Sequence, residues 1–430
     1  MLSAIIIGSL LGAIAGLLPG VGVFTALLIS LPFLTGMDPV NILILYVAIA
    51  SVSQFVGSIP AIMLGVPGEY SSMPAVIESK NITSAEEKSS TIVQTAIGSA
   101  FGSLFVLLLT LLALPYIVGV FSFYLTNVQL FLYLLVALII CCVSGNQWWV
   151  SLILFLLGSI LGAVGYSVIF KTNILVFGQS QLINGLPSVL VVSVLFSLPQ
   201  LWQSVNTLRQ LKSAPAVELP FQFPNLAWSG FYSIVGFLGG LVPGMTTILS
   251  SQAAYNISKW FKQNATERVV AAEVANNAGA FSQLLPMLLL GIPILSSEAL
   301  LLGIVESRGL TFTLANFAAH INTVAVALVF INIIGLILAW PLSVYLTKIY
   351  KIDFRLIIAL ILIAILSGVV ISAIQTSSII FYILIVLALL PLAWLIRNFN
   401  TTPLIFGFLI YPLLIENLYR FLIIHNFISL

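Results

Sequence analysis

Four short breaks interrupt the apolar runs of this 430-residue chain. They read GLLPGVG at Gly16–Gly22, GVPGEYSS at Gly65–Ser72, GLVPGMTT at Gly240–Thr247 and GIPILSS at Gly291–Ser297. Proline removes a backbone donor and glycine permits open backbone, so each break frees peptide groups. Polar side chains lie in or just beyond every break: Thr25; Glu69, Ser71 and Ser72; Thr246, Thr247 and Ser250; Ser296, Ser297 and Glu298. Bare N–H groups at the start of a half-helix, at its positive dipole end, favour an anion such as a carboxylate. The backbone at Gly20–Gly22 and Gly244–Thr246 is therefore a candidate carboxylate cradle. The hydroxyls of Ser71, Ser72, Thr246, Thr247, Ser296 and Ser297 are candidate ligands for substrate or ion. Any one break also reads as a proline kink, and the spacing Gly8, Gly12, Gly16, Gly20 also fits close helix packing. Four breaks in two matched pairs favour a binding site, because broken helices at corresponding places mark transporter sites.

A second constellation is Glu273, Asn276 and Asn277, with Gln283 further along. Spacings of three and four put the first three on one helix face. Two amides inside an apolar run suit a carboxylate or a cation, and an ionisable group there is costly enough to imply a task. The plainer alternative places Glu273 at the membrane interface near Arg268. Glu69, Glu273 and Glu298 could take up a proton or help hold Na⁺. A cation beside an anionic solute offsets the repulsion between negative groups. Weaker signals are His320 and His425, which read as packing or interfacial residues. Trp148 and Trp149 read as an aromatic belt, and the charged cluster Glu78, Lys80, Glu86, Glu87, Lys88 as a solvated loop. Cys141 and Cys142 are adjacent and offer neither a disulfide framework nor a metal spacing. No HExxH, G-x-S-x-G or P-loop pattern occurs. No catalysis and no cofactor beyond a coupling ion are expected.

The elements that position these groups follow from composition. Hydrophobic residues make up 61% of the chain and charged ones 6%, with a net charge of +2. A soluble domain carries about 25% charged residues. The balance excludes a soluble enzyme, a disordered chain and a nucleic-acid binder, and leaves a protein surrounded by lipid. Met1–Leu18 lacks a basic leader region and a cleavage site, so it is expected to belong to the mature fold. Apolar runs of spanning length recur on both sides of a polar stretch at 205–227. They must be helical, since lipid pairs no free backbone groups. The expected fold is an all-α polytopic membrane protein of about ten to twelve segments. Its units are a first transmembrane repeat (1–204), a cytoplasmic linker (205–227) and a second repeat (228–430).

The halves echo each other. Gly12-x3-Gly16-x2-Pro19-Gly20 returns 224 positions later as Gly236-x3-Gly240-x2-Pro243-Gly244. Gly65-Val66-Pro67 returns 226 positions later as Gly291-Ile292-Pro293, with Ser71 and Ser297 following in step. The loops at 35–40 and 119–128 carry no Lys or Arg, whereas their counterparts at 258–268 and 347–356 carry three each. Basic loops face the cytoplasm, so the repeats are expected to be inverted. Inversion needs an odd number of crossings per half, which follows if the first run of each half is a re-entrant hairpin bent at its Pro-Gly.

At these motifs the chain resembles the large membrane subunit of the tripartite tricarboxylate transporters, the TctA family. The resemblance rests on GLLPGVG with Thr25-Ala26-Leu27, on Gly57–Glu69, on Gly240–Gly244 with Gln252-Ala253-Ala254-Tyr255, and on Ala272–Ala278. Leu288–Pro293, Pro403–Phe408 and Leu414-Ile415-Glu416 extend it. It implies a permease for a carboxylate such as citrate, driven by a Na⁺ or H⁺ gradient, in the bacterial inner membrane. The implied partners are a small membrane subunit (TctB-like) and a periplasmic solute-binding protein (TctC-like). Nucleic acid is not among them. By motif position Ser58, Gly68 and Pro293 join the substrate site. A passive pore for a small anion is the alternative; a membrane-embedded enzyme would need a catalytic set that the sequence lacks.

Overall fold

The computed structural model describes residues 1–127 apart from Pro19, Gly20, Thr35, Pro67 and Glu69; 146–199 apart from Val168; 220–241; 247–348 apart from Ile292, Ile294, Ser307, Phe312 and Thr313; 379–424; and isolated positions between them. Helices dominate. In chain order they are α1 (Leu2–Leu17), α2 (Gly22–Ser30), α3 (Pro39–Leu64), α4 (Met73–Ser79), α5 (Ala85–Asn127), α6 (Trp148–Gly162) and α7 (Ser188–Val192). Then follow α8 (Leu226–Leu241), α9 (Thr247–Trp260), α10 (Ala265–Leu290), α11 (Ser296–Glu306), α12 (Leu314–Ala339), α13 (Ser343–Leu346), α14 (Ile379–Ile396) and α15 (Thr402–Ile424).

Breaks fall where glycine and proline put them. Helix α1 stops at Leu17 and α2 starts at Gly22, with Leu18 extended after α1. The corresponding stretch 242–246, between α8 and α9, lies outside the described residues. Helix α3 runs 26 residues from an Asp38 cap to Gly65, and α10 runs 26 residues from an Asn264 capping box to Gly291. Both terminal glycines are left-handed, at φ 66° in each case, a conformation glycine adopts without strain. Pro60 and Pro286 sit five residues before those ends. The echo extends to a pair not obvious in the motifs: Ala113-x-Pro115 in α5 and Ala339-x-Pro341 after α12.

Packing repeats as well. Helix α1 lies chiefly on α3, and α8 on α10. A methyl group on Gly12 would sit 2.7 Å from the Ile49 carbonyl, and one on Gly236 would overlap the Ala275 carbonyl. Gly16 meets the carbonyl of Ser53, and Gly240 that of Gly279. In each case the contacted residue is displaced by 226 and the glycine by 224. In lipid, helices associate by such backbone approach at small residues, since burial from water is already complete.

Helices α3 and α10 run antiparallel. Asn276 of α10 bonds to Gln54 of α3. Further along α10, Gln283 reaches Glu298, whose neighbour Ser297 bonds to Tyr46, earlier in α3. Advancing along one helix therefore means retreating along the other.

Among the described residues, Pro39–Leu64, Ala85–Tyr116, His320–Ala339 and Ile379–Ile396 are long and apolar enough to cross a membrane. Thr402–Pro412 with Leu414–Ile423, bent by 53°, makes a fifth if counted as one span. Helices α1, α6 and α8 and the stretch Gly22–Leu34 are apolar but shorter. A 16-residue helix is about 24 Å long, less than the roughly 30 Å of hydrocarbon. The expected ten to twelve segments thus correspond, in the described part, to four or five full spans and four shorter apolar stretches. One apolar run departs from the all-helical expectation. Helix α6 ends at Gly162, and Gly165–Ser167 pairs antiparallel with Thr172–Ile174. Gly165 takes φ 129°, which turns the chain out of the helix.

Candidate functional site

The antiparallel pair α3–α10 carries two polar junctions in its middle. At the first, the Gln54 side-chain oxygen accepts from the Ser71 hydroxyl at 3.1 Å and from the Asn276 amide at 2.6 Å. Asn276 also donates to the Glu273 carboxylate at 3.4 Å. Its neighbour Asn277 donates to Ser99 of α5 at 3.1 Å and to the Glu273 backbone carbonyl at 3.0 Å. All these side chains are buried, Glu273 and Asn276 completely. Glu273 is therefore buried within the packing of α10. Arg268 pairs with Glu78.

At the second junction the Tyr46 and Ser297 hydroxyls lie 2.9 Å apart. Glu298, fully buried at the start of α11, accepts from the Leu295 N–H at 3.1 Å and from the Gln283 amide at 3.4 Å. Ser71 and Ser297, related by 226 positions, both end at side chains of α3. Between the helices, Ser51, Ser103, Asn277, Phe281 and Asn332 help line a cavity of about 10 Å³. That is room for about one water, far below a small-molecule pocket.

Several buried oxygens near these junctions have no hydrogen-bond partner among the described residues: Ser72 Oγ, Ser250 Oγ, Asn276 Oδ1 and Gln283 Oε1. A buried polar group left open costs free energy, so such groups mark places where water or a ligand can bind. Ser250 approaches the α10 face at Gly279, one turn from Asn276.

The other expected site residues divide clearly. Gly22 opens α2 at φ 56° and faces open space. Thr247 opens α9, and Pro293 is buried in the break after α10. Ser58 bonds within α3 to the Phe55 carbonyl at 2.8 Å. Gly68 is held by packing: a methyl there would overlap the Gly16 carbonyl and lie 2.9 Å from Gly57 Cα. Gly20, Glu69, Gly244, Thr246 and the Ser296 side chain lie outside the described residues. Among the described residues no three His, Cys, Asp or Glu side chains gather as a metal site.

Sequence reasoning missed Gln54 and Tyr46, the two α3 groups that receive the loops. Each is a polar group in the apolar run 41–64, and that is the signal that could have found them. It also misplaced Glu78. The cluster read as a solvated loop contains a carboxyl only 1% exposed. Glu78 accepts from Asn81 at 2.9 Å, from the Tyr255 hydroxyl at 2.8 Å and from Arg268 at 3.2 Å. Helix α4 is not among the spanning candidates. Burial raises the Glu78 pKa, but the hydrogen bonds from Asn81 and Tyr255 and the charge of Arg268 outweigh it, leaving the net shift downward. The burial follows from tertiary contact: α4 packs on α10 and α9, which sequence patterning around residue 78 does not show.

Residues 2–406 match the Tripartite tricarboxylate transporter TctA family. The chain belongs to this family. TctA membership fits the broken helices and the polar helix pair, and it makes the chain a multi-pass membrane component of a transporter, not a member of an enzyme family. Among relatives, an uncharacterized 52.8 kDa protein of Agrobacterium vitis from the TAR-I ttuC' 3' region is 27% identical over 97% of this chain and 86% of its own length. A second A. vitis protein, from the TAR-II ttuC' 3' region, is 30% identical over 44% of this chain and 81% of its own. An uncharacterized protein of Methanocaldococcus jannaschii, MJ1079, is 24% identical over 92% of this chain and 94% of its own. No solved structure matches the chain.

Proposed function

We propose that this TctA chain is the permease of a tripartite carrier, importing an organic carboxylate such as a tricarboxylate, coupled to Na⁺ or H⁺. It works with a small membrane subunit and a periplasmic solute-binding protein in the bacterial inner membrane. Its halves are inverted repeats, and the breaks at Gly16–Gly22 and Gly240–Thr247 turn re-entrant hairpins. Inversion is supported by the antiparallel course of α3 and α10, which occupy corresponding places in the two halves. The observation that carries the reading is the pair of hydroxyls, Ser71 and Ser297. Each follows a matched break and folds back onto the buried centre of one helix pair. Broken elements meeting at depth, from two related halves, are the architecture of secondary-transport sites. The cavity among α3, α5, α10 and α12, which Asn277 helps line, has space for little more than water. Glu273 and Glu298, buried beside the two junctions, are the groups that would share a coupling cation.

The test is uptake of labelled citrate into proteoliposomes holding both membrane subunits, with the binding protein outside and an imposed Na⁺ or pH gradient. Asn277→Ala and Ser71→Ala are expected to cut gradient-driven uptake at least about tenfold while the protein still inserts, the scale of one or two lost interhelical bonds. Wild-type uptake in both variants would remove the site. Uptake that follows the citrate gradient alone, with no ion gradient and no binding protein, would instead favour the passive pore.

A further inference from the structure

We propose that α3 is the fixed reference for both substrate loops, with Gln54 positioning the loop at 65–72 and Tyr46 positioning the loop at 291–297. The inference rests on the functional reading above and adds which residues place the loops. Gln54 is 6% exposed and lies mid-helix, and its one oxygen serves both Ser71, from its own half, and Asn276, from the other. The Glu273 carboxylate sets the polarity of this chain. It accepts from the Asn276 amide, which turns the same NH₂ group toward Gln54 and makes Gln54 the acceptor. Eight residues earlier in α3, about 12 Å along the axis, Tyr46 meets Ser297.

The loops are related by the internal echo, but the groups that hold them are not. The positions in α10 corresponding to Tyr46 and Gln54 are Ala272 and Ala280, which offer no polar atom. Both loops therefore register on the same helix. Helix α3 is also the most enclosed of the candidate spans, with 89% of its apolar window buried. A single enclosed helix holding two symmetry-related loops is suited to stand still while a loop moves. Opening either loop breaks a side-chain hydrogen bond to α3: Ser71 on Gln54 for the first, Ser297 on Tyr46 for the second. Gln54 and Tyr46 are positioning residues in this account; they act through the loops.

The decisive experiment is hydrogen–deuterium exchange on the purified protein, which needs no substrate. Gln54→Met keeps the bulk of the side chain and removes the acceptor for both bonds. It is expected to speed exchange in peptides covering 65–72 about three- to tenfold, the scale of the one hydrogen bond the loop loses at Ser71, and to leave 291–297 unchanged. Tyr46→Phe should do the reverse. Gln54→Glu keeps acceptor oxygens and should leave both loops protected. Unchanged 65–72 protection in Gln54→Met, or equal loosening of both loops in either variant, overturns the inference. If Gln54→Met does not fold, Tyr46→Phe and Gln54→Glu decide it by the same criteria. Citrate uptake provides the second arm. Gln54→Met should raise the half-saturating concentration about tenfold, and Gln54→Glu should restore it. Should the wild type take up no citrate, the functional reading falls and the exchange result still stands on its own.

Discussion

Gly236→Leu is expected to leave no folded, monodisperse protein, and Gly236→Ala to lower stability by about 1–3 kcal/mol, the range for overpacking a close contact. A Cβ at Gly236 would overlap the Ala275 carbonyl and lie 2.8 Å from Ala275 Cα. Those are backbone atoms of α10 and cannot swing aside as a side chain would. Relief comes only by separating α8 from α10, and Gly240 and Gly279 lie in the same contact. The same substitutions at Gly12, against Ile49, should follow the same order because the first half repeats the contact. Gly303 is the control. It lies within α11, and a Cβ there meets nothing within 4 Å. Gly303→Ala should be neutral or stabilising by up to about 1 kcal/mol, from helix propensity alone. Thermal unfolding in detergent reads all of these, and a Gly236→Ala protein as stable as wild type would contradict the close-packing account.

The second large effect concerns Glu78. Arg268→Ala leaves its carboxylate buried with the cation gone, and breaking a buried pair in that way costs about 3–5 kcal/mol. Arg268 is itself 26% exposed on its side chain, so the lower end is expected. The retained bonds from Asn81 and Tyr255 soften the loss further. Glu78→Gln should cost less than Arg268→Ala, because it removes the buried charge along with the pair. The pH dependence has a definite sign. The folded-state pKa is depressed, so the pair contributes stability above the ordinary carboxyl pKa. That contribution fades as pH falls through the lower, folded-state value. Wild type should therefore lose its advantage over Glu78→Gln on acidification, and thermal unfolding of both across pH 3–7 checks it. A gap between them that widens toward low pH would contradict the assignment. At the opposite end of the α3–α10 pair, the tie is different: Arg308 donates to the carbonyls of Leu34 and Met37 at 2.9 and 3.0 Å. Neutral acceptors make that tie indifferent to pH.

The site was legible in part. Glu273, Asn276 and Asn277 were visible because amides and a carboxylate in an apolar run have no inexpensive place in lipid. Ser71 and Ser297 were visible because they follow matched prolines. Gln54 and Tyr46 stand inside a continuous helix and correspond to Ala280 and Ala272 in the other half, so no repeated polar residue drew attention to them. Glu78 was misread because a charged cluster in sequence says nothing about which member a distant helix covers. Gly68 was legible as part of a motif, but its close approach to Gly16 and Gly57 was not.

Composition and the Gly/Pro pattern by themselves determined that this chain lives in a membrane, that glycine and proline recur at matched places in its two halves, and that polar groups gather near them. These are local consequences of solvation and backbone freedom, which each short stretch carries in its own residues. Only the tertiary structure decided that α3 and α10 run antiparallel, that Ser71 and Ser297 come to rest on the same helix, and that Glu78 is paired with Arg268. Those contacts join residues 17 to 251 positions apart. Their partners are chosen by how whole helices fit against one another, which no single segment encodes.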